Sequence, residues 1–263
     1  MIWRVAAAAF LTFCLAALGL QQPRAQFNGC AAGFCSKAVS GQVVTFNWAN
    51  NSDDTTNQVV TTFNVGATAP AGANGTFTSG DFLFAEVVVD VTSGTVGTIS
   101  LTGFTQITQV FDATQNLPTA LYTGYKIAGG SETGSYAASW TNTSRGAAWA
   151  LLDYGGVHNA SPVDISGTQN NGFSANITAP SISPTGSADM MLCLSGDIGG
   201  STPYANFGSM VARVTKQTNS STRPEILIAQ QQLSASGATG TRTATNTGTN
   251  TSMTACIALT PGP

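Results

Sequence analysis

The chain has 263 residues, of which 42% are hydrophobic and only 8% are charged. A chain of this length and apolar content can bury a sizeable core, which excludes disorder throughout. Seven basic and twelve acidic side chains follow Ala25. Because no Lys/Arg cluster exists to neutralise phosphates, nucleic acid and anionic membrane surfaces are excluded as partners.

The N-terminus carries one basic residue, Arg4, and then an uncharged apolar run from Val5 to Leu20. This run is short for a membrane-spanning helix, and the polar "QQPRAQ" follows it, so we predict a secretory signal peptide over residues 1–25. Ala25 is one cleavage position and Gly19 is another. An uncleaved N-terminal anchor is the alternative.

The cysteines after this segment fall into two groups. Residues 26–41 lack a strand pattern and form a predicted N-terminal extension, in which a Cys30–Cys35 disulfide would be a local staple worth about 2 kcal/mol. Cys193 and Cys256 lie in the apolar runs "MMLCLS" and "MTACIAL". We expect two buried thiols there, with a cross-strand disulfide as the alternative.

Short segments rich in Val, Ile, Thr and aromatic residues recur over residues 42–263 between clusters of Gly, Asn, Ser and Pro. The pattern predicts a single all-β domain, a two-sheet antiparallel β-sandwich that is jelly-roll-like. The predicted strands are "QVVTFNW", "QVVTTFNV", "DFLFAEVVVD", "ISLTGFTQITQVFD", "TALYTGYKIA", "GSYAASWTN", "AAWALLDYGG", "ANITAPSIS", "ADMMLCLSGD", "NFGSMVARVTK", "EILIAQQQLS", "GATGTRTATN" and "SMTACIALTP".

Alternation within three of these segments predicts which side chains are buried. In "FLFAEVVV" the wholly apolar set, Leu83, Ala85, Val87 and Val89, is expected to face the core. "AAWALLDY" is apolar on both faces, which indicates a strand covered on both sides. The alternating Thr of "GTRTATNTGTNT" suits an exposed strand, so this low-complexity segment is assigned to the domain.

The order of several pieces resembles a known module: "SGDFLFAEVVV", "TGFTQITQ", "TALYTGYKIAGGSETGSYAASW", "AAWALLDYGGVHNASPVD", "ASGATGTRTATN" and "ACIALTP". The chain is similar, from about Asn57 to Pro261, to a β-sandwich module of phage and prophage virion-associated proteins and of some secreted bacterial proteins. The resemblance implies a fold and no catalytic residue set. The sequence departs from the module at Phe104, where Trp is usual, and at Gly156, where Arg is more typical.

His158, the only histidine, lies in "LLDYGGVHNASPVDIS" between Asp153 and Asp164. The surrounding Gly, Asn, Ser and Pro are residues with which a chain reverses direction, so we interpret His158 as an exposed turn residue. A catalytic role would require an oriented nucleophile, and no Gly-x-Ser-x-Gly motif accompanies it. The chain is therefore predicted not to be an enzyme.

The acids are scattered singly except for Asp53 and Asp54. With Asn50 and Asn51 they could bind calcium through oxygen ligands, although the spacing matches no EF-hand loop; otherwise no cofactor is predicted. Trp140 and Trp149 are expected in the core. Trp48, beside Asn50 and Asn51, is the expected surface aromatic for stacking on a sugar ring.

These features favour a non-enzymatic exported or virion-associated protein of phage or prophage type, with a structural or host-surface-recognition role. The expected partners are virion or cell-surface protein subunits and a surface glycan. The alternative is a secreted bacterial, lectin-like polysaccharide-binding protein.

Overall fold

The computed structural model describes residues 42–53, 62–66, 77–91, 94–112, 118–129, 132, 135–142, 144–199, 205–216 and 224–263, all within a compact unit that spans Ser40–Pro263. The predicted signal peptide 1–25, the extension 26–41 and the Cys30–Cys35 staple lie outside these residues. In the part of the chain that the structure describes, no helix has the length and apolarity needed to cross a membrane.

Two five-stranded antiparallel sheets form the body of the protein, which confirms the predicted all-β sandwich. The first sheet has the order β1 (Thr45–Asp53), β8 (Ser144–Gly155), β3 (Phe82–Val91), β6 (Thr119–Ile127), β5 (Thr105–Asp112). The second has the order β11 (Val211–Lys216), β12 (Pro224–Gln232), β10 (Met190–Ile198), β13 (Arg242–Leu259), β9 (Val163–Ala179). A small sheet has the order β2 (Thr62–Gly66), β7 (Ser135–Ser139), β4 (Ser100–Leu101).

The chain completes the first large sheet before it begins the second, since β1, β3, β5, β6 and β8 supply one and β9 to β13 the other. It therefore does not alternate between layers as a jelly roll does. Composition and periodicity predict how many strands exist and which faces are apolar, but the order of strands within a sheet depends on contacts between distant segments.

The main core lies between the two large sheets, where alternate residues of both point inward. Phe84 and Val88 come from β3, and Leu194 and Ile228 come from the opposite sheet. The sheets approach closely at Gly196, because a Cβ built there would lie 2.6 Å from the Val88 side chain. Glycine is the residue that this contact allows.

The outer faces of both large sheets are also covered. On the first sheet, a second cluster joins Leu83, Ala85 and Val87 to Tyr136 and Trp140 of the small-sheet region. On the second sheet, a third cluster is covered by the curled ends of β9 and β13 and by neighbouring loops; its members include Ile177, Met191, Cys193, Phe207, Leu227, Ala244 and Cys256.

The burial of side chains in β3 and β8 follows the predicted alternation in most respects. Leu83, Ala85, Val87 and Val89 are buried as expected, but they face the second cluster, and the alternate side chains of β3 face the opposite sheet. β8 is buried on both faces between β1 and β3, which confirms the prediction for "AAWALLDY". Trp140 and Trp149, 6% and 7% exposed, are core residues as predicted.

Several strand boundaries differ from the sequence-based ones. The turn at Gly103 divides "ISLTGFTQITQVFD" into β4 and β5. β9 begins at Val163, well before the predicted "ANITAPSIS", because its first half is a polar edge strand without an apolar stripe. The last two predicted strands are one continuous strand, β13, whose residues Thr243, Thr245 and Thr249 are exposed as the alternating threonines indicated.

The expectation of two buried thiols at Cys193 and Cys256 is wrong. The two residues are direct partners in the β10–β13 ladder, and a disulfide joins them. The pairing brings their Cα atoms to 4.2 Å, which puts both sulfur atoms on the same face of the sheet. A buried disulfide of this kind indicates that the chain folds in an oxidising environment.

The two flanks of the sandwich are closed by different contacts. On the flank formed by β1 and β11, the Arg213 guanidinium lies 4.3 Å from the ring centroid of Phe46. On the other, which we call the β5–β9 flank, the side-chain amide of Asn170 donates a hydrogen bond to the backbone oxygen of Phe111 at 3.2 Å.

Candidate functional site

The turn that contains His158 is held by a backbone hydrogen bond to Thr260 and by the His158 imidazole. The His158 N–H donates to the Thr260 oxygen at 2.9 Å, and the Ser161 N–H donates to His158 Nδ1 at 3.0 Å. His158 is half-buried, and its imidazole braces the turn as a hydrogen-bond acceptor. Among the described residues, His, Cys, Asp and Glu form no group of three or more that could hold a metal ion.

Asp153, which precedes this turn, is close to Asp81 rather than to His158. Burial and, secondly, the Asp81 charge raise the pKa of Asp153 to about 7, while hydrogen bonds from Asn47 and Trp48 act in the opposite direction. Asp81 accepts a hydrogen bond from the Thr78 N–H at 2.7 Å. One carboxyl of this Asp81–Asp153 pair therefore titrates near neutral pH.

A bulge in β1 directs Asn47 towards the pair. The β1–β8 register shifts between Phe46 and Trp48, which leaves Asn47 as the extra residue. Asn47 and Asp81 both approach Gly155, whose absent Cβ would lie 3.6 Å and 3.7 Å from their side chains. The described groups around the pair are an amide, an indole and backbone N–H groups, which hydrogen-bond to carboxylates and are not nucleophiles.

Asp164, the other acid beside the His158 turn, belongs to a separate pair with Asp189. The Thr185 N–H and hydroxyl donate to Asp164 at 2.5 Å and 2.8 Å, and hydrogen bonds including these lower the pKa of Asp164 against the opposing effect of burial. Burial, then the hydrogen bond and charge of Asp164, raise the pKa of Asp189 to about 6. The Asp164 carboxylate thus fixes the loop before β10 through its two hydrogen bonds from Thr185.

Most of the acids point inward. Eight of the ten acids whose side chains the structure describes are buried: Asp81, Glu86, Asp90, Asp112, Asp153, Asp189, Asp197 and Glu225. Burial raises the pKa of Glu86 well above its ordinary value, and neither of its carboxyl oxygens has a hydrogen-bond partner among the described residues. Burial without a partner therefore favours the neutral, protonated form of Glu86 in the folded protein. The outer surface keeps very few negative charges.

The predicted ligand residues do not form a common surface. The expectation that Trp48 is exposed is wrong: only 3% of it is exposed, and its ring packs 5.1 Å from that of Phe77 in the second cluster. The neighbouring asparagines suggested a surface, but Trp48 lies on the covered face of β1. Asn50 is half-buried and Asn51 exposed, and they point to opposite faces of the strand.

The predicted calcium ligands lie at the limit of the described chain. Asp53 is the last residue of β1 and pairs with Ala148. Its side chain and the whole of Asp54 lie outside the described residues, so calcium binding by Asp53 and Asp54 stays a prediction.

Two exposed aromatic residues on the β5–β9 flank were not singled out from the sequence. Phe111 at the end of β5 is 48% exposed, and Phe173 in β9 is 60% exposed. A signal for Phe173 was present, because "NNGFSAN" places a lone aromatic ring among small polar residues. Phe111 gave none, since "TQVFD" also fits a strand whose Phe is buried.

The flank around these rings is neutral. The exposed side chains of the two strands are Thr105, Gln106, Phe111, Ser166, Thr168, Asn170, Phe173 and Asn176. None carries a charge, and the amides and hydroxyls both donate and accept hydrogen bonds. The arrangement suits a neutral, polyhydroxylated partner better than a charged one. A scan against protein-family models, a search of curated proteins and a search of solved structures each found no match for this chain.

Proposed function

We propose that the chain is a non-enzymatic exported or virion-associated protein of phage or prophage type, with a structural or host-surface-recognition role. The observation that carries this proposal is the distribution of polar groups. Eight of ten described acids are buried, whereas the β5–β9 flank presents amides, hydroxyls and two aromatic rings. A contact surface without charge suits a neutral protein or sugar surface better than nucleic acid.

The burial of the carboxyls supports a role without catalysis. A hydrolytic site needs an acid, a base or a nucleophile around a space that admits substrate. Glu86 lies in the core between the two large sheets, and Asp164 fixes a loop through hydrogen bonds from Thr185. These positions favour a structural role for both acids.

The Cys193–Cys256 disulfide supports export. Such bonds persist in the periplasm, outside the cell and on virion surfaces, and are rare in a reducing cytosol. The predicted signal peptide over 1–25 agrees with this compartment. The resemblance to modules of virion-associated proteins adds the phage or prophage context.

The proposal is tested with fluorescently labelled protein incubated with bacterial cells, together with mass spectrometry of purified phage particles from the encoding strain. We expect saturable binding to the cell surface or a fixed copy number per particle. Absence of the protein from particles combined with absence of cell binding would refute the proposed role.

A secreted bacterial, lectin-like protein is the second candidate, and the neutral, hydroxyl-rich and amide-rich flank favours it equally. The two candidates differ in where the protein resides. A virion component sediments with particles after prophage induction, whereas a secreted lectin stays in the supernatant or on cell-surface polysaccharide without induction.

A further inference from the structure

We propose that the β5–β9 flank is a binding site for a neutral carbohydrate, in which the exposed rings of Phe111 and Phe173 stack on sugar rings. The inference rests on the proposed recognition role and assigns it a place and a ligand class. Because Trp48 is buried, the aromatic residues proposed for stacking on sugar rings are Phe111 and Phe173, which lie on adjoining edge strands.

Both rings are held on strands rather than on loops. Phe173 follows Gly172, where the β9 register shifts and the backbone has a φ of +58°. The adjacent side chain of Asn171 accepts hydrogen bonds from Gln169 Nε2 at 3.1 Å and from the Thr178 N–H at 3.2 Å. These bonds fix the bulge that carries Phe173, so the backbone beneath the ring is ordered before any ligand arrives.

One amide connects the two aromatic positions. Asn170 Nδ2 donates to the Phe111 backbone oxygen at 3.2 Å, and Asn170 Oδ1 accepts from the Gly172 N–H at 2.8 Å. The same side chain thus holds the end of β5 and the bulge before Phe173. Asn170 is therefore a positioning residue for the backbone at both phenylalanines, which lie on the same flank of the sandwich.

The chemistry of the flank selects the ligand class. Sugar rings offer C–H faces to aromatic rings and hydroxyls to amide and hydroxyl side chains. The nearest exposed polar groups, Thr168, Asn170 and Asn176, are all neutral. A sialic acid, uronic acid or phosphorylated polysaccharide would find no cation among the exposed side chains of the two strands, so a neutral glycan is the complementary partner.

Three single variants test the inference. Phe173→Ala and Phe111→Ala each remove an exposed ring, and Val211→Ala removes an exposed apolar side chain from the opposite flank, where Val211 is 53% exposed. The full chain and its variants are applied to an array of neutral bacterial surface polysaccharides, with uronate-containing and phosphorylated ones alongside. We expect binding to neutral polysaccharides, about tenfold weaker for each phenylalanine variant and unchanged for Val211→Ala.

Asn170→Ala gives a separate readout for the positioning role. Both rings remain, so we expect an affinity loss of about threefold to tenfold with a melting temperature within about 2 °C of the wild type. A residue with only a structural role would lower the melting temperature and leave the affinity unchanged.

Two results would overturn the inference. One is binding that is confined to charged polysaccharides or is unaffected in the Phe111→Ala/Phe173→Ala double variant. The other is the absence of binding to any polysaccharide on the array, together with a wild-type protein that is dimeric and a double variant that is monomeric. That result would show that the flank pairs two copies of the chain. In either case, retained binding of the wild type to whole cells would leave the broader recognition role standing.

Discussion

Removal of the Cys193–Cys256 disulfide is expected to destabilise the protein strongly. The bond closes a loop between residues 63 positions apart. In the chain-entropy model a loop of this length raises the free energy of unfolding by about 4 kcal/mol, since the unfolded chain loses that much freedom. Both cysteines are fully buried in central strands, so the whole domain gains from the bond.

Urea unfolding followed by tryptophan fluorescence measures this loss, because Trp48, Trp140 and Trp149 are buried. We expect the Cys193→Ala/Cys256→Ala variant to unfold at a urea concentration lower by about 1.5–2 M, for a urea m-value of about 2–3 kcal/mol/M. Wild-type protein in reductant is the control, because it keeps both sulfur atoms. It should show most of the same loss, and reductant should bring the wild type close to the variant.

A loss below about 1 kcal/mol in both the variant and the reduced wild type would refute the reasoning. Two free thiols at Cys193 and Cys256 in the folded, unreduced protein, detected by alkylation and mass spectrometry, would refute it as well.

Three further predictions concern buried polar groups. Glu86→Gln should match the wild type in stability near pH 4 and exceed it at pH 8. Burial raises the pKa of Glu86, so the wild type loses stability as pH rises, whereas the amide does not titrate. Denaturant titrations of both proteins at the two pH values check this, and equal stability of variant and wild type at pH 8 would contradict it. The pKa of Asp153 is raised to about 7, so the folded state holds its proton more tightly than the unfolded chain, and stability falls as pH rises from about 4 through 7. Asp153→Asn should remove this contribution of Asp153 and stabilise the protein at pH 8 by about 2 kcal/mol. This is half of what a pKa shift of that size gives for a group wholly shielded from solvent. If the stability of the variant depends on pH as steeply as that of the wild type, the prediction is wrong. Tyr154→Phe should lower the free energy of unfolding by about 1–3 kcal/mol. The Tyr154 hydroxyl donates to Gln230 at 3.0 Å in the core, and its loss leaves a buried acceptor unsatisfied. Thermal melts measure this, with Tyr125→Phe at a half-buried ring as the matched control; equal losses of stability in both variants would exclude the hydrogen bond as the cause.

The sequence predicted the features that depend on local alternation. The double apolar face of β8 indicated a strand covered on both sides, and the structure places it between β1 and β3 with both faces buried. Thr243, Thr245 and Thr249 of β13 are exposed as their spacing indicated, whereas Thr251 is buried. Such features follow from the two-residue period of a strand, which any single segment displays.

The remaining features depend on segments that are distant in sequence. Trp48 has asparagine neighbours along the chain, but its burial comes from Phe77 and from strands of the second cluster. Asp153 lies five residues from His158, yet its electrostatic partner is Asp81. The Cys193–Cys256 bond depends on the register between β10 and β13. A one-residue shift in that register would have left two separate thiols.

The buried acids differ in their surroundings but share a raised pKa in two further cases. Glu86 is buried without a partner among the described residues, whereas Asp90 lies against the Arg145 guanidinium, with Nη2 and Oδ2 2.5 Å apart. Burial still raises the pKa of Asp90 to about 6, because desolvation exceeds the effect of Arg145. The domain should therefore be more stable in mildly acidic than in mildly alkaline solution.

The measurement that tests the account most directly is the binding of two double variants to the bacterial cells that the wild-type protein labels. Phe111→Ala/Phe173→Ala removes the aromatic rings of the β5–β9 flank, and Val43→Ala/Val211→Ala removes the two other large apolar side chains that are exposed among the described residues. The account predicts that the phenylalanine variant loses at least tenfold in affinity while the valine variant binds like the wild type. Wild-type binding by the phenylalanine variant, with loss in the valine variant, would contradict it.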